Sequence, residues 1–492
     1  MAQRPVKFRN LLAYGSNDFI GAGAMAVVSS WVLFFYTEIC GLSPIEATSI
    51  FAIARVLDAI ASPLIGYVSD HFHRTRLGRI FGRRRFFILL AVPLLPCFAL
   101  MWISGQSYWY YLVTYVFFEL VYAMEIIPYE TLAAEMAPDF KTKAKFAGAR
   151  ILCGQTSAIL AAGLPALTSA YGRSSADTYL YMGAIFSVIF SIVALAVFAF
   201  SWERPREEIT RFETVEPASP LRSLRKLYAD LWATLRIRAF RLHLGMYLGG
   251  YVSQDVFNAV FTYFIVFALL GTDVLAAKYL VIMYCAQWVS VAVFIPMCIR
   301  LHPAPAYRIA VTFYAMGTVG FVALYALGLG HQWWVFLPLI VVGLGRGGLN
   351  YIPWSVYNYM ADVDEIVTGR RREGAFAGVM TFVRKALQAA AVALVGIILQ
   401  YGGFVQKAKL QSPAAIETIV LILGLGTLTI LAFGFLVSRH FRLNRDTHAV
   451  LMEEIERFKV DPNPVTTPGR RAIVEDLSGW KYDELWGKGR KS

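Results

Sequence analysis

Along this chain, apolar runs long enough for the ~20-residue helix that crosses a bilayer alternate with short polar stretches. Only a helix or a closed barrel satisfies its backbone polar groups without water, so the pattern predicts an all-α membrane protein. Twelve helices are expected, at roughly 11–37, 44–68, 86–104, 108–135, 147–170, 178–201, 241–269, 277–299, 309–329, 334–360, 375–400 and 417–438. The longest internal polar segment, WERPREEITRFETVEPASPLRSLRKLYADLWATLRIRAF, divides them six and six. The expected organisation is a six-helix bundle over 1–201, a linker over 202–240, a second six-helix bundle over 241–438 and a tail over 439–492. The tail reads as peripheral, with RDTHAVLMEEIERFKV a helix and DPNPVTTPGRR a breaker-rich linker.

The two halves repeat each other. Tyr14, Ser16, Asn17 and Asp18 in AYGSNDFIGAG are matched about 240 residues later by Tyr251, Ser253, Gln254 and Asp255 in GYVSQDVFNAV. EIIPYETLAAEMAPD returns as NYIPWSVYNYMADVD, aligning Pro128 with Pro353 and Asp139 with Asp364; just beyond, Phe146-Ala147-Gly148 answers Phe376-Ala377-Gly378. Transporters are commonly built from repeated halves that rock about a midplane site, and a duplicated six-helix unit with a cytoplasmic link points to the major facilitator architecture.

Composition agrees with a lipid setting. Hydrophobic residues make up 57% of the 492, charged residues 16%, and mean hydropathy is +0.54, against about 45–50% apolar and about 25% charged in soluble domains. No cleavable signal peptide is expected, since MAQRPVKFRN runs straight into a segment longer than a signal core. Five cysteines, Cys40, Cys97, Cys153, Cys285 and Cys298, lack metal-ligand spacing and read as small buried hydrophobes; neither a metal nor a cofactor is expected. The basic loops SDHFHRTRLGRIFGRRR and FKTKAKF, the 202–240 link and GRRREG alternate with loops nearly free of Lys and Arg, which places both termini in the cytoplasm. The net charge of +13 is largely this asymmetry, so the expected partners are the bilayer and a small-molecule substrate rather than nucleic acid.

An ionisable group deep in a span costs about 2.5–3.5 kcal/mol even on lenient scales, so it faces the interior, finds a partner or works on substrate and ions. By depth the candidates are Asp18, Arg55, Asp58, Glu119, Glu125, Glu130, Asp255, Arg346, Arg384 and Lys385. On helix two, Arg55, Asp58 and Ser62 stand at i, i+3 and i+7 and line one face. Asp58 is the expected coupling carboxylate; the static alternative is a permanent pair with Arg55. Glu119 and Glu125 on helix four are either cavity-lining groups or members of structural ion pairs, and Asp255 is either a site residue or a structural copy left by the repeat. Arg384 and Lys385 are adjacent and point to different sides; Lys385 is the cavity candidate, and Arg384 snorkels or pairs. Tyr36, Tyr122, Tyr129 and Trp354 offer aromatic surface for a sugar-like ring, with packing or an interfacial belt as the alternative. After helix two, Gly66 permits close helix approach, Asp70 pairs with arginine across the half interface, and the arginines, Arg83 and Arg84 among them, hold the cytoplasmic side shut. Topology alone is the plainer account of the arginine run 83–85.

The segments YGSNDF, RVLDAIASPLIGYVSD followed by GRRRFFIL, the loop from ADVDE to GRRREG, and FVRKALQ resemble the glycoside–pentoside–hexuronide:cation symporter family, the melibiose permease group of the major facilitator superfamily. The likeness spans nearly the whole chain, to about residue 438. It implies symport of a sugar or glycoside with H+, Na+ or Li+ across a bacterial inner membrane. It further implies that Asp18 accepts sugar hydroxyls with Arg150 as its partner, that Trp354 and Lys385 stand near the binding site, and that Asp58 falls on the cation-site aspartate. With Tyr122 and Glu125, these complete the expected binding set.

Two departures from the family pattern matter. Sodium-using relatives show Asp-x-x-Asn-Asp-Pro where this chain has Asp58-Ala59-Ile60-Ala61-Ser62-Pro63, so an amide and a carboxylate are missing. Relatives also place an aspartate two residues before the helix-four proline, where Ile126 stands here and Glu125 precedes it. Na+ prefers several oxygen ligands whereas a proton needs one group of suitable pKa, so proton coupling is expected, in a monomer. The rival readings are Na+-coupled sugar symport, transport of a lysolipid or other amphipath, and a membrane sensor that keeps the scaffold. An enzyme is not expected, because phosphate-cradling loops, metalloprotease motifs and nucleophile elbows are lacking in the sequence.

Overall fold

The computed structural model of the protein describes residues 6–136, 140–169, 175–203, 234–329, 333–357, 359–369, 373–461 and 464–487. No strand occurs among them. Most of the 202–240 linker, Asp139 and the arginines 370–372 lie outside the described residues.

Twelve long helical segments follow one another among the described residues: α1 (8–39), α2 (Pro44–His71), α3 (85–100), α4 (Tyr108–Met136), α5 (Phe140–Ser169), α6 (Ser175–Phe200), α7 (238–268), α8 (Asp273–Leu301), α9 (Pro303–Ala326), α10 (Phe336–Tyr357), α11 (Glu373–Tyr401) and α12 (Pro413–His440). α2 starts on a capping box: Ser43 Oγ accepts from the Glu46 N–H at 3.2 Å, Glu46 Oε2 accepts from the Ser43 N–H at 2.8 Å, and Pro44 opens the first turn.

α3 is not the unbroken helix expected over 86–104. It runs as Arg85–Ala91 and Cys97–Leu100 with turns between, because Pro93 and Pro96 remove two N–H donors in succession. Nine of the twelve are long and apolar enough among the described residues to cross a membrane on that ground alone. The others are α3, which is interrupted, and α5 and α7, which carry Arg150 and the Gln254-Asp255 pair. The cysteines are free, with Cys97 and Cys298 buried; Cys285 is exposed, against the reading of all five as buried.

The chain divides into two compact units, residues 1–223 with 258–284 and 389–420, and residues 224–257 with 285–388 and 421–492. The cut does not follow the sequence halves, because ends of α7, α8 and α11 pack on the first half. Within the first unit the Thr37 and Tyr263 hydroxyls share a hydrogen bond of 2.6 Å, Thr262 donates to the Ser30 carbonyl at 3.4 Å, and the Ile45 N–H donates to Gln400 at 3.1 Å. α11 also comes so close to α2 that a methyl group at Gly396 would overlap Thr48.

In the second unit the tail is folded, with the expected helix over RDTHAVLMEEIERFKV present. α13 (Arg445–Val460) and α14 (Pro468–Ser478) pack on the short helix Met360–Thr368 that follows α10. His448 Nε2 lies 2.9 Å from Asp362, Lys459 pairs with Glu365 at 3.3 Å, and the N–H groups of Trp486 and Gly487 donate to the Ile366 and Val367 carbonyls at 2.9 and 2.8 Å. Glu454 is fully buried between the two tail helices, where it accepts from the Tyr482 hydroxyl at 2.6 Å and Thr466 at 2.9 Å and pairs with Arg457 and Arg470. Replacing Glu454 with Leu strands those partners, at a cost of about 2–4 kcal/mol. Limited proteolysis is expected to cut Glu454→Leu between α13 and α14 under conditions that leave the parent intact.

Candidate functional site

Asp18 sits where α1 leaves regular geometry: a turn at Asn17 is followed by a wide π turn, Phe19–Gly23. Such turns re-aim side chains and recur at functional sites. The carboxylate is buried and accepts from Arg150 Nε of α5 at 2.9 Å. Arg150 also reaches Glu130 of α4 at 3.1 Å and lies 5.6 Å from the centre of the Tyr129 ring, which stacks on Tyr14 at 4.5 Å. Arg150 is partly exposed and Glu130 exposed, so the guanidinium links an inner acid to an outer one. The room is shaped by backbone: a methyl at Gly154 of α5 would overlap the Asp18 carboxylate. Of the expected set, Asp18 and Arg150 therefore meet. Glu130 and Gly154 lie outside that set, although the depth of Glu130 already singles it out in the sequence.

Tyr122 is buried, with its hydroxyl donating to the Gly21 carbonyl at 3.4 Å. Glu125 is fully buried beside the Asn17 amide, and among the described residues the two side chains approach each other without a hydrogen bond of good geometry. Two polar groups facing each other without a well-formed hydrogen bond in a dry interior are unfavourable unless a bound group or a proton satisfies them. Nothing in the sequence alone separated Asn17 from its neighbour Asp18.

On α2, Ser62 Oγ donates to Asp58 Oδ1 at 2.8 Å, and Asp58 is fully buried. Arg55 is held elsewhere. Its guanidinium pairs with Glu119 of α4 at 3.4 Å, donates to the Met25 sulfur at 3.0 Å and lies over the Phe51 ring. The spacing of Arg55 and Asp58 allowed a pair on one helix face, but the opposite charge on the neighbouring helix holds Arg55.

At the α3 start, Arg83 pairs with Glu135 at 2.7 Å, and Arg84 pairs with the same carboxylate. Glu203 accepts from the backbone N–H groups of Arg83, Arg84 and Arg85 at 2.9, 2.8 and 2.7 Å. The unpaired donors of a helix N-terminus attract a carboxylate, and Glu135 is shared by the two arginine side chains, so these contacts lie within the first half. A methyl at Gly66 would meet Ile127 at an ordinary 3.8 Å, so close approach does not demand glycine there among the described residues. Asp70 ends α2, with its side chain outside the described part.

In the second unit, Arg384 pairs with Asp255 at 2.6 Å and Gln388 donates to the same carboxylate at 3.0 Å. Arg384 therefore pairs inward and does not snorkel. Lys385 beside it is half-buried. The Trp354 indole N–H donates to the Tyr251 hydroxyl at 2.9 Å while the ring is 45% exposed.

Beyond the apolar span Phe8–Val32, Glu38 is half-buried near Lys407 and Tyr263. Burial pushes its carboxyl up to about 7, against the opposing pull of the Lys407 N–H and ammonium.

The sequence profile of the MFS/sugar transport proteins matches residues 13–445. The chain is 22% identical to a glucuronide carrier protein homolog of Escherichia coli (strain K12), covering 92% of this chain and 96% of that protein. It is 24% identical to an isoprimeverose transporter of Lactiplantibacillus pentosus over 84% of each. The fold is similar to the crystal structure of a D-xylose-proton symporter, with a TM-score of 0.60 and 14% identity over 86% of this chain and 97% of that one. It is also similar to the nucleoside transporter NupG, with a TM-score of 0.59 and 13% identity over 88% and 100%.

Two outcomes follow from this geometry. Gly154→Ala displaces the Asp18 carboxylate from Arg150, and binding of a transported solute is expected to weaken about tenfold alongside a lower melting temperature, since hydrogen bonds to charged groups are worth roughly that much and the pair is buried. Glu38 in the folded protein titrates above its ordinary 4.5, so its contribution to stability is full below about pH 4.5 and lost as pH rises through about 7. Melting temperature measured against pH should fall across that window in the parent, and Glu38→Gln should lack that part of the decline.

Proposed function

The chain belongs to the MFS/sugar transport protein family, and from that premise we propose that it imports a sugar or glycoside across a bacterial inner membrane by alternating access, in symport with protons. The protein is a multi-pass transporter of the major facilitator fold, not an enzyme. The observation that carries the substrate reading is the cluster Asp18, Arg150 and Glu130, a buried acid linked through a guanidinium to an exposed one. Sugar hydroxyls are both donors and acceptors, so an Asp–Arg pair exchanges its internal bonds for bonds to a polyol without leaving a charge unpaired. Relatives named for a glucuronide and for isoprimeverose support a glycoside. Tyr122, Glu125, Trp354 and Lys385 complete the proposed binding set.

The coupling ion is a proton, exchanged at Asp58. The carboxylate is buried and takes a hydrogen bond from Ser62, the position at which sodium-using relatives supply a second carboxylate. A cation site built of several oxygens is thereby reduced, whereas one carboxylate suffices for H+. Arg55, paired with Glu119, supplies the neighbouring positive charge. Both termini lie in the cytoplasm, which puts the Arg83–Glu135–Glu203 network on that side; the two six-helix bundles, 1–201 and 241–438, are the moving parts, and the transporter works as a monomer.

In proteoliposomes, Asp58→Asn is expected to equalise internal and external solute instead of accumulating it, while solute exchange at equal pH continues. Uphill uptake at the parent level in this variant would refute the assignment. With the parent, an imposed pH gradient should drive accumulation in the absence of sodium; accumulation that follows only a sodium gradient would replace the proton with Na+.

A further inference from the structure

The sequence repeat becomes a repeated constellation of side chains. In the first half, Tyr14 stands one turn before Asp18, Asp18 accepts from Arg150 of α5, and the guanidinium lies on Tyr129, the residue that follows Pro128. In the second, Tyr251 stands one turn before Asp255, and Asp255 accepts from Arg384 of α11. There the guanidinium lies 5.3 Å from the centre of the Tyr251 ring, and Trp354, the residue that follows Pro353, donates its N–H to the Tyr251 hydroxyl.

The register aligns Tyr14 with Tyr251, Asp18 with Asp255 and Tyr129 with Trp354, but not the two arginines. Phe146 matches Phe376, so the counterpart of Arg150 is Met380, and Arg384 comes one helical turn later. Duplication alone would have left Asp255 facing a methionine. An arginine supplied from a different position restores the pair, which argues that the second copy is kept for its chemistry. Static neutralisation of Asp255 needs one cation; here Gln388 is spent on the same carboxylate, one turn beyond Arg384. Beside them Trp354 keeps nearly half its surface exposed while its only polar atom is turned into Tyr251. An aromatic face next to a charged donor and acceptor pair is the arrangement that grips a pyranose ring, with its C–H face on the indole and its hydroxyls on the ions.

We propose that Asp255, Arg384 and Gln388, with Tyr251 and Trp354, form a second carbohydrate-binding subsite within the second half, in which adjacent sugar hydroxyls donate to Asp255 and accept from Arg384. The assignment rests on the sugar-symport reading and specifies residues of the second unit that recognise a sugar. Arg384 contacts the solute, and Gln388 acts as a positioning residue through Asp255.

The test uses the full-length protein in detergent, titrated with 4-nitrophenyl β-D-glucuronide, β-D-galactoside and β-D-xyloside, with ligand-free melting temperature recorded in parallel. Arg384→Lys keeps a cation beside Asp255 but loses the two-pronged geometry, and it should weaken binding of the glycoside that the parent takes about tenfold or more. Gln388→Ala should weaken it less, and both should melt close to the parent. Asp255→Asn should also lose binding; should it fail to fold, the two milder variants carry the test. Variants that melt lower yet bind within twofold of the parent overturn the subsite and leave a structural ion pair. Binding lost in Asp18→Asn but retained in Arg384→Lys and Gln388→Ala refutes the subsite while the sugar-symport reading stands. A parent that binds none of the three glycosides removes that reading and the subsite with it.

Discussion

A charge buried in hydrocarbon must find an opposite charge or give up its own, and the interior of this protein is arranged around that constraint. Asp18 is held by Arg150, Glu119 by Arg55 and Asp255 by Arg384, and each pair joins two different helices. Removing one partner of such a pair strands the other, at about 3–5 kcal/mol, so these contacts set which helices lie side by side. Glu125, fully buried beside the Asn17 amide, has no opposite charge paired with it among the described residues.

Helix ends are managed by the same electrostatics. Glu203 takes three backbone N–H groups at the start of α3 while Glu135 takes two arginines, so two acids offset most of the charge of a run of three basic residues where α3, α4 and the end of α6 meet. At the other end of the first unit the contacts are mostly uncharged: Thr37 with Tyr263, Ile45 with Gln400, Gly396 against Thr48. Neutral hydrogen bonds are individually worth about 1 kcal/mol, less than a buried ion pair costs to break. The tail follows the opposite logic. Its centre is a buried glutamate with four partners, a rigid core for a segment that grips the helix after α10.

Much of the architecture was legible because a bilayer leaves the chain few options: twelve apolar stretches, a polar break after the sixth and a motif that returns in the same order. The interruption of α3 was legible in principle, since Pro93 and Pro96 stand inside it, but hydropathy does not register a missing N–H. The tail helix Arg445–Val460 was readable from its periodicity; its docking was not, because Glu454, His448 and Lys459 find their partners on α14, on the segment after it and on residues 362–365. The partner of Arg150 entered through family resemblance, not through spacing.

By itself the sequence determined that this is a helical membrane protein of repeated halves, with acids and bases inside it, because span length, hydropathy and the repeat are local properties of the chain. Which charge meets which was decided only by tertiary structure. Arg55 had Asp58 one turn away and is paired with Glu119, 64 residues on; Arg384 was free to snorkel and is paired with Asp255; Gly66 has space around it, whereas Gly154 does not. The reason is that Coulomb attraction and close packing depend on distance through space, and in a bundle the opposite charge nearest to a buried one can lie on another helix, far along the chain.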